Sequence, residues 1–396
     1  MTKLVSLLSI CAFICSSAFA VTVEYDGMGR VRSSSTKNYD LDDDGKDENK
    51  KTSYRFQVGF KITKSEATSI YIQPRFNKVA GDTTSGQSSG ALKDADGFDM
   101  HQAFITHKFS DFSLKAGRQE LAYGDQLLIG SVPWHDVGRS FDGYKLSYNS
   151  KYGVTDLLYM TVKENGVESD SDRDHDLQGI YHSGEFGSIK DIDLYYLVDQ
   201  DLTNKTSDND IKVSTAGIRV KTNMDKFDYR VEYASQDIKF HSTSKTATQY
   251  NLEVGYKIKK LRVAVEFARA DEDYRQLYPT GHKWLGMSDF FKRANIEQLA
   301  AHFKYSFSEK LKTSLSYHTF KVVKKSSNAH KWMYTAAEDT SEDELGSEID
   351  LVATYAIEKD MSVQVGYSIF QAGKRFKEAN NDDNSAFSYL QLVSKF

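Results

Sequence analysis

The chain holds two cysteines in 396 residues, Cys11 and Cys15, both within its first twenty positions. Everything after position 20 lacks thiols, which excludes a disulfide framework, a thiolate metal site and a cysteine nucleophile there. Long apolar runs are as scarce. The stretch from Leu4 to Ile14 is too short to cross a hydrocarbon layer of about 30 Å as a helix, and no later segment approaches the roughly twenty apolar residues that such a helix needs. There is no basic excess: 51 Lys and Arg stand against 56 Asp and Glu, a net charge of −5, so nucleic acid is not an expected partner.

Lys3, the apolar run and the ending Ala18-Phe19-Ala20 have the three-part layout of a secretory signal peptide, with cleavage expected between Ala20 and Val21. Ile10 and Ile14 precede the cysteines where a lipid anchor would need a small residue. Removing residues 1–20 takes away one Lys and no acid, so the remainder, 21–396, carries 50 minus 56, or −6.

What the chain has in quantity is aromatic: 24 Tyr and 23 Phe, with 3 Pro, at a mean hydropathy of −0.55. Many aromatics in a polar chain suit a sheet with one greasy and one wet face. Along 249–258, Tyr250, Leu252, Val254, Tyr256 and Ile258 alternate with Gln249, Asn251, Glu253, Gly255 and Lys257. Successive strand side chains point to opposite faces, so this is an amphipathic strand. The same period of two runs through Tyr54 to Ile62, Phe227 to Tyr233, Leu261 to Phe267, Ile349 to Ile357 and Met361 to Ile369. Such repeats predict about eighteen strands, at 21–33, 52–63, 68–78, 98–109, 113–119, 138–148, 153–164, 175–183, 190–199, 212–222, 226–236, 248–258, 261–270, 295–307, 311–321, 347–357, 361–371 and 385–396. Tight turns alternate with long polar loops between them, as in an all-β transmembrane barrel with short periplasmic turns and long extracellular loops. A soluble β-sandwich would require neither that alternation nor a last strand closing on Leu390, Leu392 and Phe396. Closure leaves no unpaired strand edge in lipid.

Three segments then resemble the alginate export family of outer-membrane proteins. The first is Ala116-Gly117-Arg118-Gln119-Glu120-Leu121-Ala122-Tyr123-Gly124-Asp125, followed by Trp134 and Gly138-Arg139-Ser140-Phe141-Asp142-Gly143. The second comprises Tyr278-Pro279, His282-Lys283-Trp284-Leu285-Gly286, Asp289-Phe290 and Asn295-Ile296. The third is Leu345 to Leu351 with Gly366-Tyr367-Ser368. The resemblance implies an eighteen-stranded barrel that acts as a passive conduit in a Gram-negative outer membrane, with export of an anionic polysaccharide as one use.

An anion conduit should line its lumen with Lys and Arg. The registers turn Arg55, Lys61, Arg75, Lys145, Arg219, Lys221, Arg230, Lys257 and Arg262 toward water, but also Asp193, Asp228, Glu232, Glu253, Glu266, Glu348 and Asp350. Opposite charges on facing strands can simply satisfy one another. The loop from Glu120 to Val137 is unusually apolar, with Leu121, Tyr123, Leu127, Leu128, Ile129, Val132 and Trp134. Such a patch is seldom left in water, so the loop is expected to fold into the lumen. Arg118, Asp125, Arg139 and Asp142 beside it then line the constriction or anchor it to the wall.

Asp40, Asp42, Asp44 and Gly45 match the start of a calcium loop, with Lys51 where the bidentate Glu should stand and Glu48 as a partial substitute. Calcium over 40–48 competes there with a solvated acidic loop; no other cofactor is implied. His282, Asp289, Lys283 and Arg293 share one loop, but no nucleophile stands beside them at a telling spacing, so no enzyme is expected. The expected partners are outer-membrane lipid and lipopolysaccharide, the barrel assembly machinery and a polar or anionic solute, with the chain a monomer. The alternatives that remain are a general porin, a dedicated anionic-polysaccharide exporter, and a plugged structural or adhesive barrel.

Overall fold

The computed structural model describes residues 21–42, 48–80, 97–164, 174–187, 189–203, 210–240, 243–331, 336–381 and 383–396; the signal-peptide expectation for 1–20 lies outside them. They form one 18-stranded antiparallel sheet. The strands are β1 (Thr22–Lys37), β2 (Asn49–Thr63), β3 (Thr68–Val79), β4 (Gly97–Phe109), β5 (Phe112–Gln119), β6 (Phe141–Ser150), β7 (Gly153–Lys163), β8 (His175–Phe186) and β9 (Ile189–Asp201). They continue with β10 (Ile211–Met224), β11 (Phe227–Phe240), β12 (Thr243–Ile258), β13 (Leu261–Ala270), β14 (Ile296–Ser306), β15 (Leu311–Lys321), β16 (Glu344–Glu358), β17 (Met361–Ala372) and β18 (Ser385–Lys395). Each strand pairs with its sequence neighbours, and β1 also pairs with β18, from Met28 opposite Lys395 to Lys37 opposite Ala386, so the sheet closes into a barrel.

Period-two patterning works here in the sense opposite to a soluble protein. Val265 is 53% exposed while its neighbour Glu266 is 5% exposed, and Leu252 is 41% exposed while Asn251 is 1% exposed. Apolar side chains face out and polar ones face in, which is stable only when the outside is hydrocarbon and every backbone group is paired. The short connections, such as 110–111, 225–226 and 259–260, lie at one rim, where β1 begins and β18 ends. That rim is periplasmic by the usual arrangement of such barrels.

The elements follow the periodicity closely, with differences at the outer rim. β1 runs on to Lys37, β2 starts at Asn49, and β11 and β12 extend to Phe240 and from Thr243, replacing a long loop expected between 236 and 248. Beyond the membrane both faces of a strand are wet, so pairing continues after the alternation has faded. β6 starts at Phe141, not at 138, because Gly138 and Arg139 belong to the loop before it. The large buried apolar cluster is inside the barrel. Leu121, Leu127, Leu128, Ile129 and Phe141 pack there with Trp284, Phe290 and Phe291, against Leu345, Phe370 and Phe376.

Candidate functional site: a lumen filled by two loops

The β5–β6 loop, 120–140, and the β13–β14 loop, 271–295, bring Leu121, Leu127, Leu128, Ile129, Tyr274, Trp284, Leu285, Phe290 and Phe291 into that cluster, and they are joined to each other. Ile129 and Tyr278 form a parallel bridge, with Gly130 N donating to Tyr278 O at 2.8 Å, Tyr278 N to Leu128 O at 2.7 Å and Thr280 N to Gln126 O at 3.0 Å. Arg139 pins the joint. Its Nη1 donates to the carbonyls of Gly130 at 3.1 Å, Pro279 at 2.9 Å and Tyr278. Burial pulls its guanidinium down to about 10, which leaves it charged at neutral pH.

One arc of the wall is a row of guanidiniums. Alternation in β1 to β3 puts Arg30, Arg32, Arg55 and Arg75 on the lumen face, each 2–4% exposed, and Arg30 stands directly opposite Arg55. They hold the tip of the first loop. Arg30 Nη1 donates to Pro133 O at 2.8 Å and Trp134 O at 2.9 Å, Arg32 Nη1 to Trp134 O at 2.8 Å, Arg55 Nη1 to His135 O at 3.1 Å, and Arg75 to Val137 O. Gly138, at φ +79, lets the chain turn against Arg55, where a Cβ would press on the guanidinium. Asp136 receives Arg30, Arg32, Lys51 and Ser53 together. Burial opposes its ionisation, but Arg32 and Lys51 prevail and hold the carboxyl below the usual aspartate range. Trp134 lies between Arg32, 4.0 Å over its ring, and His282, stacked at 3.8 Å.

Across the lumen the charges of β9 to β14 satisfy one another. Arg219 bonds Asp125, Asp191 and Asp193, with 2.7–2.8 Å contacts to each. Lys221 reaches Asp125 at 2.9 Å, Arg230 reaches Glu253 at 3.1 Å, and Arg262 holds Asp228 and Glu253. Glu253, Glu266 and His302 could close on a metal, with ligand atoms within 4.8 Å of one another. Their oxygens, however, are already engaged by Arg230, Arg262 and Asn251.

Of the residues singled out from sequence, Arg55, Arg75, Lys145, Arg219, Arg230 and Arg262 stand on the lumen face; Lys145 pairs with Asp156 at 3.1 Å. Asp125 and Arg139 sit inside the loop assembly. Arg118 and Asp142 do not reach the lumen: they pair at 2.7 Å on the outward face that carries Leu114 and Tyr144, while Gln119 and Phe141 take the inward face. β5 spans only Phe112–Gln119 and carries Ala116 and Gly117, so its alternation gives little warning of the parity. Asp40 and Asp42 lie just beyond β1, Asp44 and Gly45 lie outside the described residues, and Glu48 is engaged by Lys50 at 2.8 Å and Ser35 at 3.2 Å. His282 Nδ1 meets Asp289 Oδ2 at 2.7 Å. Sequence reasoning missed Arg30, Arg32, Lys51 and Asp136. The signal for the first two was the alternation of Met28, Arg30 and Arg32, hidden because Gly27, Gly29 and Ser33 occupy the outward positions.

A closed barrel of eighteen strands with an apolar exterior and two long loops folded into a charged lumen defines an outer-membrane channel protein. A family model described as alginate export matches residues 31–388, and the chain belongs to that family. Comparison with curated protein sequences gave no match. Among solved structures, it is similar to Pseudomonas aeruginosa OpdK with vanillate, at 11% identity and TM-score 0.65, covering 94% of this chain and 98% of that one. It is similar also to Pseudomonas aeruginosa OccK3 (OpdO), at 9% identity and TM-score 0.66, covering 94% and 95%. Acinetobacter baumannii OccAB2 matches at 11% identity and TM-score 0.65, covering 95% and 98%. At these identities the likeness is one of fold.

Proposed function

We propose that the chain is a passive channel that admits small polar solutes, anions in particular, across the outer membrane, with residues 1–20 removed on export. The observation that carries this reading is the row of Arg30, Arg32, Arg55 and Arg75 on the lumen face of three adjacent strands. Wall acids compensate the opposite arc, whereas this row is met mainly by loop carbonyls, with Asp136 of the loop on Arg30 and Arg32 and the wall acid Asp99 on Arg75 alone. A cationic strip in a narrowed, low-dielectric lumen attracts anions and delays cations. OpdK, of the same fold, was solved with vanillate, itself a carboxylate. The loops narrow the lumen, which favours single small solutes over a polymer chain. No catalytic role is assigned, since His282 is used in stacking on Trp134 and in its bond to Asp289.

Single-channel recording of the purified barrel in planar bilayers tests the reading. Discrete steps with a reversal potential that favours anions are expected. Cation-selective steps would overturn the anion preference, and a silent bilayer holding folded barrels would overturn the channel.

A further inference from the structure

The outward face of the barrel carries a groove across the seam where β18 meets β1. The register sets Tyr367 opposite Ser388 and Ser388 opposite Ser35, and one row nearer the periplasm Val365 opposite Leu390 and Leu390 opposite Ser33. Lys50 and Thr52 continue the two rows on β2. Large apolar side chains on β17 and β18 thus stand beside small hydroxyls on β1 and β2, and the step between them leaves a hollow of about 710 Å³. Sites for small ligands run from about 300 to 1,000 Å³. Val365, Tyr367 and Leu390 are 46–53% exposed, as lipid-facing side chains are, whereas Ser33 and Thr52 bond each other through their hydroxyls at 2.8 Å. The groove straddles the line where hydrocarbon gives way to water, at the rim opposite the short turns. Its wet side is cationic. Lys50 lines the hollow, and Lys37 and Lys78, both exposed, are the next outward positions to Ser35 and Ala80. Glu48 meets Lys50 at 2.8 Å and Ser35 at 3.2 Å, but with the carboxylate 45% and the lysine 68% exposed, so open a pair is weakly held.

We propose that this groove docks one lipopolysaccharide molecule of the outer leaflet. Its phosphorylated glucosamine lies over Ser33, Ser35 and Thr52, a phosphate meets Lys37 and Lys50, and an acyl chain runs down Val365, Tyr367 and Leu390. Each part of the lipid meets a surface of its own kind: hydrocarbon on the apolar strands, sugar hydroxyls on side-chain hydroxyls, and phosphate on ammonium groups, which draw anionic headgroups to a membrane surface. A glycerophospholipid would use the apolar half but has no sugar ring for the hydroxyl row. A lipid held there spans β17, β18, β1 and β2, so it clamps from outside the seam that closes the barrel. The site is independent of what the lumen conducts.

The test titrates the purified barrel in detergent with diphosphoryl lipid A, monophosphoryl lipid A and phosphatidylethanolamine, and counts bound lipids by native mass spectrometry. One diphosphoryl lipid A binds the parent more tightly than either of the others. Lys37→Gln with Lys50→Gln weakens it about thirtyfold, at about fivefold per lysine. Ser388→Phe, which fills the hollow and leaves every charge in place, weakens it as well, and decides alone if the lysine variant does not assemble. Lys212→Gln with Lys239→Gln, a facing pair of exposed lysines on β10 and β11, leaves the affinity unchanged. An equal loss in the two double variants would mean a general attraction to surface charge and overturns the groove. Full affinity in Ser388→Phe overturns it too, as does phosphatidylethanolamine binding as tightly as lipid A.

Discussion

Asp125 shows at the scale of one residue how the lumen tolerates charge. Burial works against its ionised form, and Lys221 and Arg219, at 2.7–2.9 Å, overcome that and hold the carboxyl below its ordinary range. A folded-state value below the unfolded one means stabilisation that is complete above the unfolded value and is lost as pH falls through the folded one. Asp136 is shifted in the same direction. The loops are therefore expected to stay docked, with Trp134 and Trp284 fluorescence in vesicles constant between about pH 5 and 8 and changing only below about pH 4. A transition above about pH 5 would contradict control by these two carboxylates. Sequence could nominate Asp125 from its neighbours in the 116–125 motif, but not its partners, because Arg219 and Lys221 lie on β10, far along the chain.

At the scale of elements, the two inward loops behave as one body, and Arg139 is where they meet. Replacing Arg139 by Ala removes a buried charged donor from three carbonyls, each such bond worth about 1.5–3 kcal/mol. The expected outcome is a barrel that still assembles and resists heat in detergent gels, but whose open-channel current is larger and noisier than the parent's. An unchanged current would mean that the bonds between 126–130 and 278–280 hold the joint without it. The strands were readable from sequence because lipid on one side and water on the other impose a strict period. The inward folding of 120–140 was readable too, since Leu121, Leu127, Leu128 and Ile129 cannot stay in water. Its grip on the wall was not, because bonds from arginine to backbone carbonyls leave no trace in the identity of the accepting residue. For the same reason the side to which Arg118 and Asp142 turn depends on a parity that a strand as short as β5 does not declare.

For the whole molecule, the inversion of faces predicts opposite responses to the same kind of change. Val265→Arg, on the lipid face, should cost about 2–4 kcal/mol, read from urea unfolding in vesicles, if the residue lies near the bilayer midplane. The equivalent charge at a wetted lumen position such as Ser316 should cost far less and alter ion selectivity instead. Equal costs at both positions would contradict a lipid-facing exterior.

The seam between β1 and β18 constrains how this molecule comes into being. β1 has a partner on each side, and one of them, β18, is the last strand the chain supplies; Gly27 and Phe396 exchange backbone hydrogen bonds across the join at 3.0 and 3.2 Å. Until β18 arrives, the growing sheet has two bare edges, each a template for pairing with another copy. A contact spanning nearly the whole chain is also the slowest kind to form. A chain stopped short of β18 is thus left with the open edges that invite aggregation, so the steps that carry it to the membrane must keep it unfolded until its final residues are available.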